Sequence, residues 1–67
     1  MVYVIKYTKP VEKKGKETVE VWVKFEDRFG ESIGDSMKLK DWIESQKIAY
    51  EPKTIKQFFE KNDKVWL

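Results

Sequence analysis

The sequence predicts a small α+β domain in which an antiparallel β-hairpin is covered on one face by two short helices. Residues 19–25, VEVWVKF, alternate valine or phenylalanine with glutamate, tryptophan or lysine, which is the period of a half-buried strand. Two later segments repeat apolar residues at spacings of three and four, the period of an amphipathic helix. A chain of 67 residues has room for one domain, residues 1–67, with one small core.

The composition narrows the class of protein. The chain has no cysteine, so the core has to stabilise the fold without disulfides or thiolate metal sites, as in a cytoplasmic protein. No apolar run reaches the ~18 residues of a membrane span, and the first residues lack the layout of a secretory signal. We therefore predict a cytoplasmic location and no membrane partner. The formal net charge of +2 permits nucleic-acid binding without requiring it.

Residues 2–26 are predicted to form the hairpin, with its turn at the Lys-Lys-Gly of residues 13–15. A three-residue loop with a left-handed Gly15 pairs Glu12 with Lys16. Three apolar pairs then share one face of the hairpin: Tyr7 with Val21, Ile5 with Val23, and Tyr3 with Phe25. A two-residue loop at Lys14 and Gly15 instead sets Tyr7 against Trp22 and Ile5 against Lys24, which mixes the faces. We predict the three-residue loop.

Residues 27–35 form a predicted acidic loop, because two glycines interrupt the alternation there. We expect Phe29 and Ile33 to enter the core from this loop. Ser36 or Asp35 is a suitable N-cap for a following helix over residues 36–47.

Two helices are predicted from the same apolar spacing. In residues 36–47 the apolar residues are Leu39, Trp42 and Ile43, and in residues 52–62 they are Ile55, Phe58 and Phe59. Pro52 suits the first position of the second helix. Residues 64–67 form either a short strand beside the hairpin or a frayed tail.

The chain has few side chains that could act in catalysis or bind a metal ion. Histidine and cysteine are absent, which removes the commonest general base, nucleophile and zinc ligands. Asp27, Glu31 and Asp35 would share a face of a helix, but the glycines at 30 and 34 favour a solvated loop. We expect no enzyme activity, no metal, no cofactor and no small-molecule substrate.

Two basic features suggest nucleic acid as a partner. Residues 36–62 resemble a helix-turn-helix motif, whose second helix would expose Lys53, Lys56, Gln57 and Lys61 for phosphate and base contacts. The hairpin tip adds four lysines on an element that could project toward a phosphate backbone: Lys9, Lys13, Lys14 and Lys16. The predicted function is therefore a small non-enzymatic binding module, a regulatory factor that binds nucleic acid.

Both features also have an alternative interpretation. Glu44, Ser45 and Ala49 depart from the usual helix-turn-helix pattern, so the two helices can equally be a helical hairpin covering the sheet. Tip lysines also keep turns soluble and protect edge strands.

The alternative function is a protein-interaction module, a small inhibitor or adaptor. It would dock on a partner protein through a sheet edge, through the acidic loop at Asp27, Glu31 and Asp35, or through the face that carries Trp22. Trp22 points away from the valines of its strand, where it could stack on a base, anchor a partner, or pack on neighbouring side chains.

Overall fold

A four-stranded antiparallel sheet and two short helices make up the structure, a computed structural model that describes all 67 residues. In chain order the elements are β1 (Tyr3–Lys13), β2 (Lys16–Glu26), β3 (Met37–Lys38), α1 (Leu39–Gln46), α2 (Pro52–Phe58) and β4 (Lys64–Trp66). The strand order in the sheet is β3-β2-β1-β4. The predicted α+β class is confirmed. Of the two alternatives for residues 64–67, the structure has the short strand beside the hairpin, and β3 was not predicted.

The hairpin closes through a two-residue turn, so the predicted three-residue loop is wrong. Lys13 pairs directly with Lys16, and the two turn residues, Lys14 and Gly15, have φ angles of 51° and 74°. Left-handed conformations at both positions match the twist of the two strands, which is why two-residue turns of this kind connect hairpins. Gly15 adopts this conformation freely, whereas a lysine at 14 gives little signal of it in the sequence.

The observed register exchanges the two faces of β1 relative to the prediction. Tyr7 faces Trp22 and Ile5 faces Lys24, so the predicted pairs of Tyr7 with Val21 and Ile5 with Val23 are wrong. A shift of one residue moves every side chain to the other side of a sheet. We call the side that carries Val4 and Val23 the helix face and the side that carries Tyr7 and Trp22 the open face.

The core lies between the helix face and the two helices. Its five buried side chains are Val4, Val23, Trp42, Ile55 and Phe59. The Trp42 ring meets the Phe59 ring edge-on, with centroids 6.2 Å apart. Full burial of an aliphatic or aromatic side chain stabilises a fold by roughly 1.5–3 kcal/mol, so these few residues account for much of the stability.

Both helices are shorter than their apolar patterns predict. Helix α1 begins at Leu39 instead of residue 36, because Met37 and Lys38 pair with β2 as an edge strand. Helix α2 starts at Pro52 as predicted but ends at Phe58, and the chain then turns toward β4. No helix is long and apolar enough to cross a lipid bilayer.

The acidic loop forms a local hydrogen-bonded turn and does not place its apolar side chains in the core. The Asp27 carboxylate accepts hydrogen bonds from the backbone N–H groups of Phe29 (2.8 Å) and Glu31 (3.0 Å). This local turn leaves Phe29 78% exposed and Ile33 40% exposed. The expectation that Phe29 enters the core is therefore wrong, and Ile33 is only partly covered.

Candidate functional site: the open face of the sheet

The open face combines aromatic rings with lysines. Because side chains alternate along a strand, the register assigns to this face one ring at each of four positions: Tyr3, Tyr7, Trp22 and Trp66. All the residues that build the core or pack against it belong to the helix face, to the helices and the residues that flank them, and to the chain ends. No helix therefore covers the aromatic side of the sheet.

The four rings form two pairs, one at the open end of the hairpin and one near its middle. Tyr3 of β1 lies beside Trp66 of β4, with ring centroids 4.6 Å apart and planes at 60°. Tyr7 lies opposite Trp22 of β2. The Trp66 side chain is 41% exposed, and the other three rings are half-buried. Each pair can therefore offer a ring surface to a ligand without leaving the sheet.

Lysine ammonium groups lie next to the rings. Lys9 Nζ lies 4.5 Å from the centroid of the Trp22 ring, and Lys64 Nζ lies 4.4 Å from that of Tyr3. Lys24 Nζ is 6.0 Å from the Tyr7 centroid. An ammonium over a ring is attracted by the ring's quadrupole, at about 0.5–1 kcal/mol for exposed pairs. Each of these three rings thus has a lysine ammonium at its surface, on a flexible side chain.

Glu20 fixes the end of the face that carries Trp22. Its carboxylate accepts a hydrogen bond from the indole Nε1 of Trp22 at 3.3 Å and lies 3.0 Å from Lys38 Nζ and 3.1 Å from Lys13 Nζ. The hydrogen bonds from Lys38 and then Lys13 lower the pKa of Glu20 to about 2. The carboxylate therefore stays ionised to lower pH than an ordinary glutamate and remains an acceptor for the indole N–H of Trp22.

Positive charge predominates on the open face. Two glutamates, Glu20 and Glu26, share it with six lysines: Lys9, Lys13, Lys16, Lys24, Lys38 and Lys64. At the hairpin tip the charges separate by face, because Glu12 and Glu17 oppose each other on the helix face. An anion approaching the hairpin is thus attracted to the open face specifically.

The sequence-predicted nucleic-acid residues fall on two sides of the sheet. Lys13 and Lys16 lie on the open face, and Lys14 lies in the turn. The other four, Lys53, Lys56, Gln57 and Lys61, are exposed on α2 or just beyond its end, in the layer that covers the helix face. The tip lysines and the α2 lysines therefore do not form one continuous surface.

The residues proposed for protein interaction also separate. Trp22 lies on the open face, pointing away from Val23 as the sequence indicated. Asp27 is occupied in closing its own loop, while Glu31 and Asp35 are exposed. No group of three or more acidic side chains lies close enough together to hold a metal ion.

Comparison with known proteins returns no family model, curated protein or solved structure that matches the chain. Chemically, the open face offers stacking surfaces, cations and one fixed carboxylate, which suit binding. Elsewhere on the molecule, a groove of about 450 Å³ beside α1 is lined mostly by apolar residues, with Ser45 and Gln46 as its polar members. It lacks charged groups, so the open face is the stronger candidate site.

Sequence reasoning missed most of the open face. Tyr3 and Tyr7 were placed on the same face as Val23, and Lys24 and Trp66 had no assigned role in binding. The available signal was the two-residue turn, because that register alone puts Tyr7 beside Trp22.

Proposed function

We propose that this protein is a small non-enzymatic module that binds single-stranded nucleic acid on the open face of its sheet. The observation that carries the proposal is the pairing of Tyr3 with Trp66 and of Tyr7 with Trp22 on a face that no helix covers. Aromatic side chains on an open sheet stack on unpaired bases, and each stacked base contributes about 1–3 kcal/mol to binding.

A single strand fits this face better than a duplex. In a duplex the faces of the bases are covered by their neighbours, so the rings of Trp22 and Trp66 could not stack on them without separating base steps. An unpaired strand can turn its bases onto the sheet while its phosphates meet the lysines. The hairpin tip extends the same positive face through Lys13 and Lys16.

Two other functions make different demands on the surface. Binding of duplex DNA by a helix-turn-helix motif would use Lys53, Lys56 and Gln57 on α2, which lie on the helix side of the sheet. That function remains a prediction. Docking of an acidic protein partner would use the open face but would not need unpaired bases. The ligand preference and the variants below separate these functions.

The test is a fluorescence titration with decathymidylate at 50 and 200 mM salt. Trp22 and Trp66 lie on the open face and Trp42 lies in the core, so stacking should quench part of the tryptophan emission. Each neutralised phosphate of a single strand adds about −0.7 to the slope of log K against log[salt]. Three or four contacts therefore weaken binding by roughly 20- to 50-fold between these concentrations.

Matched lysine variants locate the contact surface. Lys24→Gln and Lys64→Gln should each flatten the slope by about 0.7, whereas Lys53→Gln and Lys56→Gln on α2 should leave it unchanged. Absence of binding at 50 mM salt would contradict the proposal. A slope that responds only to the α2 variants would favour the helix-turn-helix function, and equal binding of polyglutamate would favour a protein partner.

A further inference from the structure

We propose that the open face takes two bases separated by one intervening nucleotide, one base on each aromatic pair, with the intervening phosphates on Lys24 and Lys64. This inference rests on the proposed function and specifies how the strand lies on the same site. It defines a minimal ligand of three nucleotides in which only the first and third bases contact aromatic rings.

The two aromatic pairs offer two stacking positions on the open face. Tyr3 and Trp66 come from adjacent strands at the open end of the hairpin, and Tyr7 and Trp22 come from adjacent strands near its middle. In each pair one ring belongs to β1, so the line that joins the two stacking positions is roughly parallel to β1. A bound strand would therefore run along β1.

Between the two pairs lies a row without aromatic rings. Ile5 of β1 is flanked by Lys24 of β2 on one side and by Lys64 of β4 on the other. The isoleucine offers no ring to stack on, while both lysine side chains are exposed. This row suits the sugar–phosphate backbone of a middle nucleotide better than its base.

The spacing decides how many nucleotides fit. Four residues of a strand, at about 3.3 Å each, place the Cα atoms of Tyr3 and Tyr7 about 13 Å apart. Nucleotides in a stacked strand advance about 3.4 Å, and a stretched strand about twice that, so two stretched steps cover roughly 14 Å. A stacked strand would need about four steps, and its bases would stack on one another instead of on the rings.

Abasic substitution in trithymidylate tests the arrangement on the wild-type protein. The probe carries phosphates at both ends, and an abasic residue replaces each thymidine in turn. Removal of the first or third base should weaken binding by roughly 5- to 150-fold, the loss of one stacked base, whereas removal of the middle base should change it less than about twofold. Binding is followed by the indole N–H signals of Trp22 and Trp66.

A variant then shows which end of the bound oligonucleotide lies on which aromatic pair. In Trp22→Ala, one terminal abasic substitution should weaken binding less than it does in the wild-type protein, because only Tyr7 of that aromatic pair remains; the exposed Phe29 supplies the matched control Phe29→Ala. Equal losses at all three positions, or trithymidylate failing to bind where decathymidylate binds, would overturn the two-base arrangement and leave the proposed function standing. Failure of decathymidylate itself would overturn the proposed function.

Discussion

Replacing Ile55 by alanine removes a side chain that is fully enclosed between α2 and the sheet, with 0% of its surface exposed. The substitution deletes three buried carbons, worth about 0.8 kcal/mol each in transfer free energy. A residual cavity adds to this, so the free energy of unfolding should fall by about 2–5 kcal/mol. A core of this size supplies roughly 3–5 kcal/mol in all, so Ile55→Ala should unfold much of the protein at 25 °C.

The same substitution at Ile48 provides the control. Ile48 is 98% exposed in the segment between the helices, so Ile48→Ala should change the free energy of unfolding by less than about 0.5 kcal/mol. Urea denaturation followed by circular dichroism measures both variants. If Ile55→Ala costs less than about 1 kcal/mol, or as much as Ile48→Ala, then α2 does not pack on the sheet through Ile55 and the described core is incorrect.

The remaining predictions concern the register and Glu20. In double-mutant cycles Val4→Ala and Phe25→Ala, which face each other, should couple by at least 0.5 kcal/mol, whereas Ile5→Ala and Val23→Ala, on opposite faces, should be additive. Coupling between Ile5 and Val23, with additive effects at Val4 and Phe25, would instead support the register of the three-residue turn. Because the folded pKa of Glu20, about 2, lies below its ordinary value of 4.5, its contribution to stability is present above pH 4.5 and lost as pH falls toward 2. Thermal melts of wild type and Glu20→Gln should therefore differ at pH 7 and converge near pH 2, and a pH-independent difference would count against the Lys38 contact.

The sequence predicts the elements of this fold better than their register. Alternation in residues 19–25 and the helical spacing of Trp42 and Ile55 each reflect burial of one face, so β2, α1 and α2 could be predicted. In residues 2–8 both faces are apolar, since Val2 and Val4 alternate with tyrosine and isoleucine. Periodicity then gives no preference between the faces, and the register depends on the conformation of the turn.

The candidate site could not be predicted for a related physical reason. Aromatic residues on a strand usually indicate a core, and only the tertiary placement of the helices shows that Tyr7 and Trp22 lie on the uncovered side. Strand β3 has two residues, too few for any periodic signal. Phe29 was misplaced because a hydrogen-bonded turn at Asp27, a local interaction, outweighs the hydrophobic tendency of a single ring.

The three indole N–H signals of the protein provide the most direct test of the proposed function in one two-dimensional NMR spectrum. Trp22 and Trp66 lie on the open face, and Trp42, which is 5% exposed in the core, is an internal control. Addition of decathymidylate at 50 mM salt should shift the Trp22 and Trp66 signals and leave Trp42 in place. Unchanged Trp22 and Trp66 signals, or shifts confined to the amides of α2 around Lys53 and Lys56, would contradict binding on the open face.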